Sequence, residues 1–182
     1  MTSHQVVLSY KEYEALPVDG RRYEIHEGEL SVTAAPSPQH QMIIRNLFRA
    51  LDAHVKAGRA GEVLFAPLDV ILSDISIVQP DIVYLDNSRV SALSQRGVEG
   101  PPTLVVEIVS PSTTLIDRST KHQLYARYGV PFFWLVDPEG RTIEAFVLGP
   151  QGYTLAVRAS GSEPVSLPPF PDISLIPASL WP

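Results

Sequence analysis

The sequence predicts an α/β (α+β) fold: a mixed β-sheet flanked by helices, with an N-terminal helix and β-hairpin. Three observations predict it. "TLVVEIV" (103–109) and "PFFWLVD" (131–137) are short apolar runs of the kind that form strands covered on both faces, and the helical pattern "LIDRSTKHQLYARY" lies between them. Strands joined that way and sharing one sheet are parallel, with a right-handed crossover. Apolar residues at 43, 44, 47, 48, 51 and 55 mark one face of a long helix. "RYEIHEGELSVTAA" alternates Tyr23 and Ile25 with polar neighbours around Glu27 and Gly28, the pattern of a hairpin.

In chain order, "SYKEYEAL" is a short helix, with Ser9 as N-cap and Glu12 at the capping-box spacing. The hairpin (20–35) follows, then the long helix from "SPQHQ" to a stop at Gly58. "EVLFAPLDVIL" and "PDIVYLD" read as strands separated by a polar turn near Ser73 and Asp74, and "SRVSALSQRGVEGPP" as a loop with at most one helical turn. After "TLVVEIV", the stretch "SPSTT" supplies N-caps, and Gly129 with Pro131 stops the helix. "RTIEAFVL" should pair antiparallel with "PFFWLVD", and "GYTLAVRA" should add an edge strand. The Pro-rich tail (163–182) is too broken by proline for a long helix; it should wrap on the body, anchored by Phe170, Leu175, Ile176 and Trp181. With no internal repeat, all 182 residues are expected to form one domain.

Cysteine is absent, which excludes disulfides, thiolate metal sites and a thiol nucleophile. The N-terminus lacks a signal-peptide apolar segment and no run has membrane-spanning length, so a cytoplasmic location without membrane association is the expectation. A net charge of −6 argues against a broadly basic nucleic-acid surface, yet suits a cluster of carboxylates that binds cations.

One residue does not fit its segment. Glu107 stands in an otherwise apolar strand, and a buried carboxylate must find partners or neutralise. The next helix offers Lys121, on a stripe with Asp117, Leu124 and Tyr128. A second acid, Asp81, follows Pro80 at the start of an apolar strand, where Asp is a poor strand former. Two such carboxylates can hold a divalent cation by hard oxygen ligands, and a lysine beside them can position a nucleophile or stabilise phosphoryl charge. Taken singly, Glu107 with Lys121 also reads as a structural ion pair, and Asp81 as the end of a turn.

"PD" at 80–81, the strand with Glu107 and the helix with Lys121 resemble the PD-(D/E)XK nuclease superfamily. Over about residues 20–148, "RYEIHEGEL", "SPQHQ", "PDIVYL" and "LVVEIVSPSTTLIDRSTKHQLYARYGVPFFWLVDP" resemble its largely uncharacterised restriction endonuclease family with the lysine moved to the following helix. The superfamily motif has a lysine two residues after the second acid; here that position is Val109.

The resemblance implies a restriction-endonuclease-like core at about 37–148. It also implies Asp81 and Glu107 as ligands of Mg²⁺ (Mn²⁺ in its place) and Lys121 as the catalytic lysine. His40, at the start of the first core helix, and Glu24, in the hairpin, are auxiliary candidates; a lone His there also reads as a cap or surface residue. Ser110 and Ser112 read as turn and cap residues, since no His–Asp relay accompanies them.

The expected function is a metal-dependent endonuclease hydrolysing phosphodiester bonds in DNA, with self-association as a homodimer allowed for. Arg45, Arg49, Arg89, Arg96, Arg118 and Arg127 are the basic groups available to the backbone. The alternative is a catalytically inactive nuclease-fold protein acting as a binding or self-associating module, which the charge and Val109 favour.

Overall fold

Two six-stranded mixed sheets, a two-stranded hairpin, one long helix and two short ones, the second entered through a helical turn that ends at Lys121, make up the architecture. The computed structural model describes residues 6–110 and 116–182, with the side chains of 116–118 excepted.

Helix α1 (Tyr10–Glu14) begins at Ser9, whose N–H and hydroxyl both donate to the Glu12 carboxylate, completing the capping box. Strands β1 (Arg22–His26) and β2 (Glu29–Thr33) form the hairpin. Its two turn residues, Glu27 (φ 53°) and Gly28 (φ 87°), both lie in the left-handed region, which matches the twist of the strands.

Helix α2 (Pro38–Gly58) starts at Ser37, whose side chain accepts the His40 N–H, with Pro38 placed where a missing N–H is harmless. Ile43, Ile44, Leu47, Leu51 and Val55 are its buried stripe. Gly58 is still helical; the left-handed turn that ends the helix is made by Arg59 (φ 50°), not by the glycine expected to do so.

The strands that follow are β3 (Gly61–Phe65), β4 (Val70–Ser73), β5 (Ser76–Val78), β6 (Ile82–Asp86), β7 (Leu93–Ser94), β8 (Gly97–Glu99) and β9 (Leu104–Ile108). A wide helical turn of π type (Ile116–Lys121) leads into α3 (His122–Arg127). Then come β10 (Phe132–Asp137), β11 (Thr142–Gly149), β12 (Gly152–Ala159), β13 (Val165–Leu167) and β14 (Phe170–Leu175).

The first sheet runs β12-β11-β10-β9-β6-β3. Strands β9 and β10 are parallel, as expected, with Glu107 opposite Leu135; β11 and β12 add antiparallel edges. Along β9, Leu104, Val106 and Ile108 join the core packed under α2, whereas Val105 and Val109 join a second core with Leu124 and Tyr125 of α3. Alternation therefore turns Glu107 toward α3.

The second sheet, β2-β1-β5-β4-β8-β7, corrects the expectation of a single sheet. "EVLFAPLDVIL" is not continuous. The Ala66 N–H bonds the Asp81 carbonyl at 3.0 Å as the last rung of β3 on β6; Pro67 cannot extend the ladder, and the chain crosses to β4 in the other sheet. The segment after Ser73 forms strand β5, and the expected loop at 88–102 contains a 3₁₀ turn and the small β7–β8 hairpin.

In the tail, β13 and β14 pair as a hairpin, and a 3₁₀ turn (Pro177–Leu180) follows. Phe170 and Leu175 are buried and Trp181 is half-buried, but Ile176 is 38% exposed and is no anchor; Ile173 and Leu180 fill that role. Among the described residues, no helix is long and apolar enough to cross a membrane.

Candidate active site

Glu107 is 1% exposed, and its Oε1 accepts from two side chains of the helical segment that follows. Lys121 Nζ stands 3.1 Å away and the Tyr125 hydroxyl donates at 2.6 Å. Four residues apart, these two lie on one helical face, and that face is turned to the sheet by Leu124 and Tyr125 in the core. The expected partnership of Glu107 with Lys121 is thus formed. Asp117, on the same predicted stripe, lies outside the described side chains, as does Arg118; Ser112 lies outside the described residues.

The same ammonium serves a second acid. Lys121 Nζ is 3.0 Å from Glu24 Oε1 on β1, which also accepts the Gln79 N–H at 2.7 Å, while His26 Nε2 is 3.2 Å from Glu24 Oε2. Residues 22, 24 and 26 share one face of β1, and Ile25 pairs with Ile77 of β5, so the polar face of the hairpin is turned into the molecule. Burial works to raise the Glu24 pKa, but Lys121, His26 and the Gln79 N–H outweigh it and hold the carboxyl well below its ordinary value.

Asp81 anchors the other end of the cluster. Pairing of Ile82 with Val106 sets it beside the Glu107–Ile108 peptide, whose Ile108 N–H donates to Oδ2 at 2.8 Å. His40 Nε2 lies 3.1 Å from that oxygen and 3.1 Å from the Ile108 carbonyl. Two acceptors at one nitrogen require the proton to sit on Nε2. Among the described residues, the buried Nδ1 has no hydrogen-bond partner. Arg22 Nη2 meets Asp81 Oδ1 at 3.1 Å. Burial again opposes ionisation of Asp81, yet His40, Arg22 and the Ile108 N–H bring its pKa below the ordinary carboxylate value. Burial also works against the Arg22 charge, but the fields of Asp81, Glu107 and Glu24 together raise its pKa.

Asp81, Glu107 and Lys121 therefore come together, and both auxiliary candidates, Glu24 and His40, sit directly on them. Sequence reasoning missed Arg22 and Tyr125. The signal for Arg22 was present in the period-2 spacing of Arg22, Glu24 and His26, which placed three ionisable groups on one strand face; Tyr125 read as an ordinary core aromatic.

The family model described as Uma2, "Putative restriction endonuclease", matches residues 10–179. The chain belongs to the Uma2 family. Among solved structures, it is similar to the crystal structure of "a putative nuclease belonging to DUF820" from Anabaena variabilis ATCC 29413. That likeness has a TM-score of 0.77 at 20% identity, covering 95% of this chain and 97% of that one, and shows a shared restriction-endonuclease-like fold. No curated protein matches. By its description, Uma2 is a nuclease family, and the acids and lysine just described lie within the matched span.

In this Uma2 chain, three carboxylates (Glu24, Asp81 and Glu107), each 2% exposed or less, face two fixed cations, Lys121 and Arg22. Among the described residues, no three Asp, Glu or His side chains are gathered into a ready ligand set for a metal ion.

The basic groups expected to meet a phosphate backbone are largely occupied. Arg89 donates to the carbonyls of Pro101 and Pro102, Arg96 pairs with Glu99, Arg127 with Glu27, and Arg45 bonds Asn46.

Proposed function

We propose that this chain is a metal-dependent endonuclease that hydrolyses phosphodiester bonds in DNA. The observation that carries the reading is the convergence of Glu107, Glu24 and Lys121 beside Asp81, inside a chain of a nuclease family. The donor chemistry suits Mg²⁺, or Mn²⁺ in its place. Asp81 and Glu107 offer hard oxygen ligands, and three buried carboxylates against two fixed cations leave negative charge for a further cation to balance. Bound there, the metal would supply Lewis-acid stabilisation of the phosphoryl oxygen and a more acidic water.

The protein's own groups divide the remaining work. The Ile108 N–H and His40 orient Asp81, while the Tyr125 hydroxyl and the Lys121 ammonium orient Glu107. Lys121, shared between two carboxylates, supplies a fixed positive charge beside them, which would stabilise negative charge developing on a phosphate brought to the acids. Glu24 keeps Lys121 from collapsing wholly onto Glu107, which leaves that carboxylate able to serve a metal.

The alternative, an inactive nuclease-fold binding module, draws support from one observation: each acid already contacts a cationic side chain of the protein. Calorimetric titration of Mg²⁺ separates the two. The enzyme reading expects binding to the wild type that collapses in Asp81→Ala and in Glu107→Ala; no binding, or equal binding in all three, would defeat it.

A further inference from the structure

We propose that the cavity beneath α1 is a nucleotide subsite beside the scissile phosphate, with Arg22 as its anion anchor and an unpaired nucleotide of the substrate strand as its occupant. The proposal rests on the nuclease reading and deepens it by naming the substrate class: DNA with an unstacked nucleotide at the cleaved step.

The cavity has a volume of about 660 Å³; its walls include Tyr13 of α1, Arg22 of β1 and Gln79, together with the carboxylates Glu14, Asp19 and Asp69, of which Asp19 is held by Arg21 and Asp69 by Tyr13 and Gln79. That volume falls in the range of pre-formed ligand sites, about 300–1,000 Å³, and the mix of apolar wall with a few placed polar groups is their usual character. The Tyr10 and Tyr13 rings lie 6.1 Å apart, and the Arg96 guanidinium sits 4.9 Å over the Tyr10 ring, which makes Tyr13 the ring offered to a base. Aromatic faces of this kind accept a nucleobase whatever its sequence.

The polar part of the wall is built rather than incidental. The Tyr13 hydroxyl donates to Asp69 Oδ1 at 2.7 Å, and Gln79 Nε2 donates both to that oxygen at 2.8 Å and to the Tyr13 hydroxyl at 3.1 Å. The Gln79 backbone N–H is the group that holds Glu24. One residue thus ties the cavity wall to the carboxylate that shares Lys121.

Arg22 joins the cavity to the acids more directly. It lines the cavity, its side chain is 19% exposed, and it bonds Asp81 Oδ1. Among the described residues that is the one side-chain hydrogen bond it makes, although a guanidinium has five N–H donors in a planar fork suited to phosphate. A phosphate brought to Asp81 and Glu107 meets those unused donors, and the attached base enters the cavity. The volume is ample for a nucleotide, and a base stacked in a duplex would reach the cavity only by unpairing. Single-stranded ends, flaps and extruded nucleotides therefore fit where intact duplex does not.

The test uses the full chain without divalent ions. Calorimetry with 2′-deoxyadenosine 5′-monophosphate, deoxyadenosine and inorganic phosphate should show the nucleotide binding at least about tenfold more tightly than either fragment, a difference of about 1.4 kcal/mol. Arg22→Gln should abolish that binding. Gln41→Glu, an exposed α2 residue on the cavity wall, should weaken it severalfold by repelling the phosphate, with no change in melting temperature. The Gln41 variant decides the matter should the Arg22 variant fail to fold.

No saturable nucleotide binding at millimolar concentration, or binding untouched by Gln41→Glu, overturns the subsite. Nucleotide binding without Mg²⁺-dependent cleavage would keep the subsite and defeat the nuclease reading. Cleavage without nucleotide binding would do the reverse.

Discussion

Two strands from different sheets bring a buried glutamate to the same ammonium, and they are built on opposite plans. The four other residues of strand β9 are apolar, and Glu107 takes the Lys121 ammonium and the Tyr125 hydroxyl from a separate element, the helical segment 116–127. Strand β1 carries Arg22, Glu24 and His26 on one face, so Glu24 has His26 beside it and the Gln79 backbone N–H in addition to Lys121. The cluster is therefore more fragile on the β9 side: Glu24 retains donors when the helix is disturbed, whereas Glu107 loses the ammonium and the hydroxyl together.

The largest expected effect follows from that asymmetry. Lys121→Met leaves two carboxylates buried without their shared cation and should cost about 3 to 5 kcal/mol in urea denaturation, the usual consequence of breaking a buried pair. Adding Glu107→Gln to that variant should restore more stability than adding Glu24→Gln; equal rescue would show that the two acids depend on Lys121 alike. Tyr125→Phe should cost less, about 1.5 to 3 kcal/mol, for a lost hydrogen bond to a charged group, and the cost should shrink to that of a neutral hydrogen bond, about 0.5 to 1.5 kcal/mol, in a Glu107→Gln background.

Acid pH sharpens the other side. Glu24 and Asp81 have folded pKa values below their ordinary ones, so the unfolded chain binds protons first as pH falls. Their stabilisation is complete above the unfolded values of 4.5 and 3.8, declines below them, and for Glu24 is lost as pH falls through about 2. The urea midpoint should fall from about pH 5 downward, and Glu24→Gln should flatten that decline. A slope identical to wild type would mean that Glu24 does not contribute.

The smallest effect belongs to Glu144 of β11, buried at 6% but paired with Arg158, whose side chain is 63% exposed. Glu144→Gln should change stability by about 1 kcal/mol or less, because a solvated partner contributes little.

What could be read in the sequence follows the same division. An acid among Leu, Val and Ile stands out, and a lysine on the next helix is easy to assign to it, so Glu107 and Lys121 were legible together with the β9–α3–β10 unit. Asp81 was legible because it opens an apolar strand after proline. Glu24 was harder: on an alternating strand its face reads as the solvent side, and only the closure of β1 against β5 turns it inward. The second sheet was hidden for a related reason, since β4, β5, β7 and β8 are two to four residues long, too short for a period to register. Arg22 was masked by the same alternation, and Tyr125 by the usual meaning of an aromatic on an apolar helix face.

In the proposed function Lys121, delivered from the helical segment in place of a lysine at position 109, completes a hydrolytic site. Nicking of supercoiled plasmid in Mg²⁺ tests it most directly, with Mg²⁺ binding and melting temperature measured on the same samples. The wild type should nick, and Lys121→Ala, still folded and still binding Mg²⁺, should not. Nicking that persists in folded Lys121→Ala, or a wild type that binds Mg²⁺ without cutting, would contradict it.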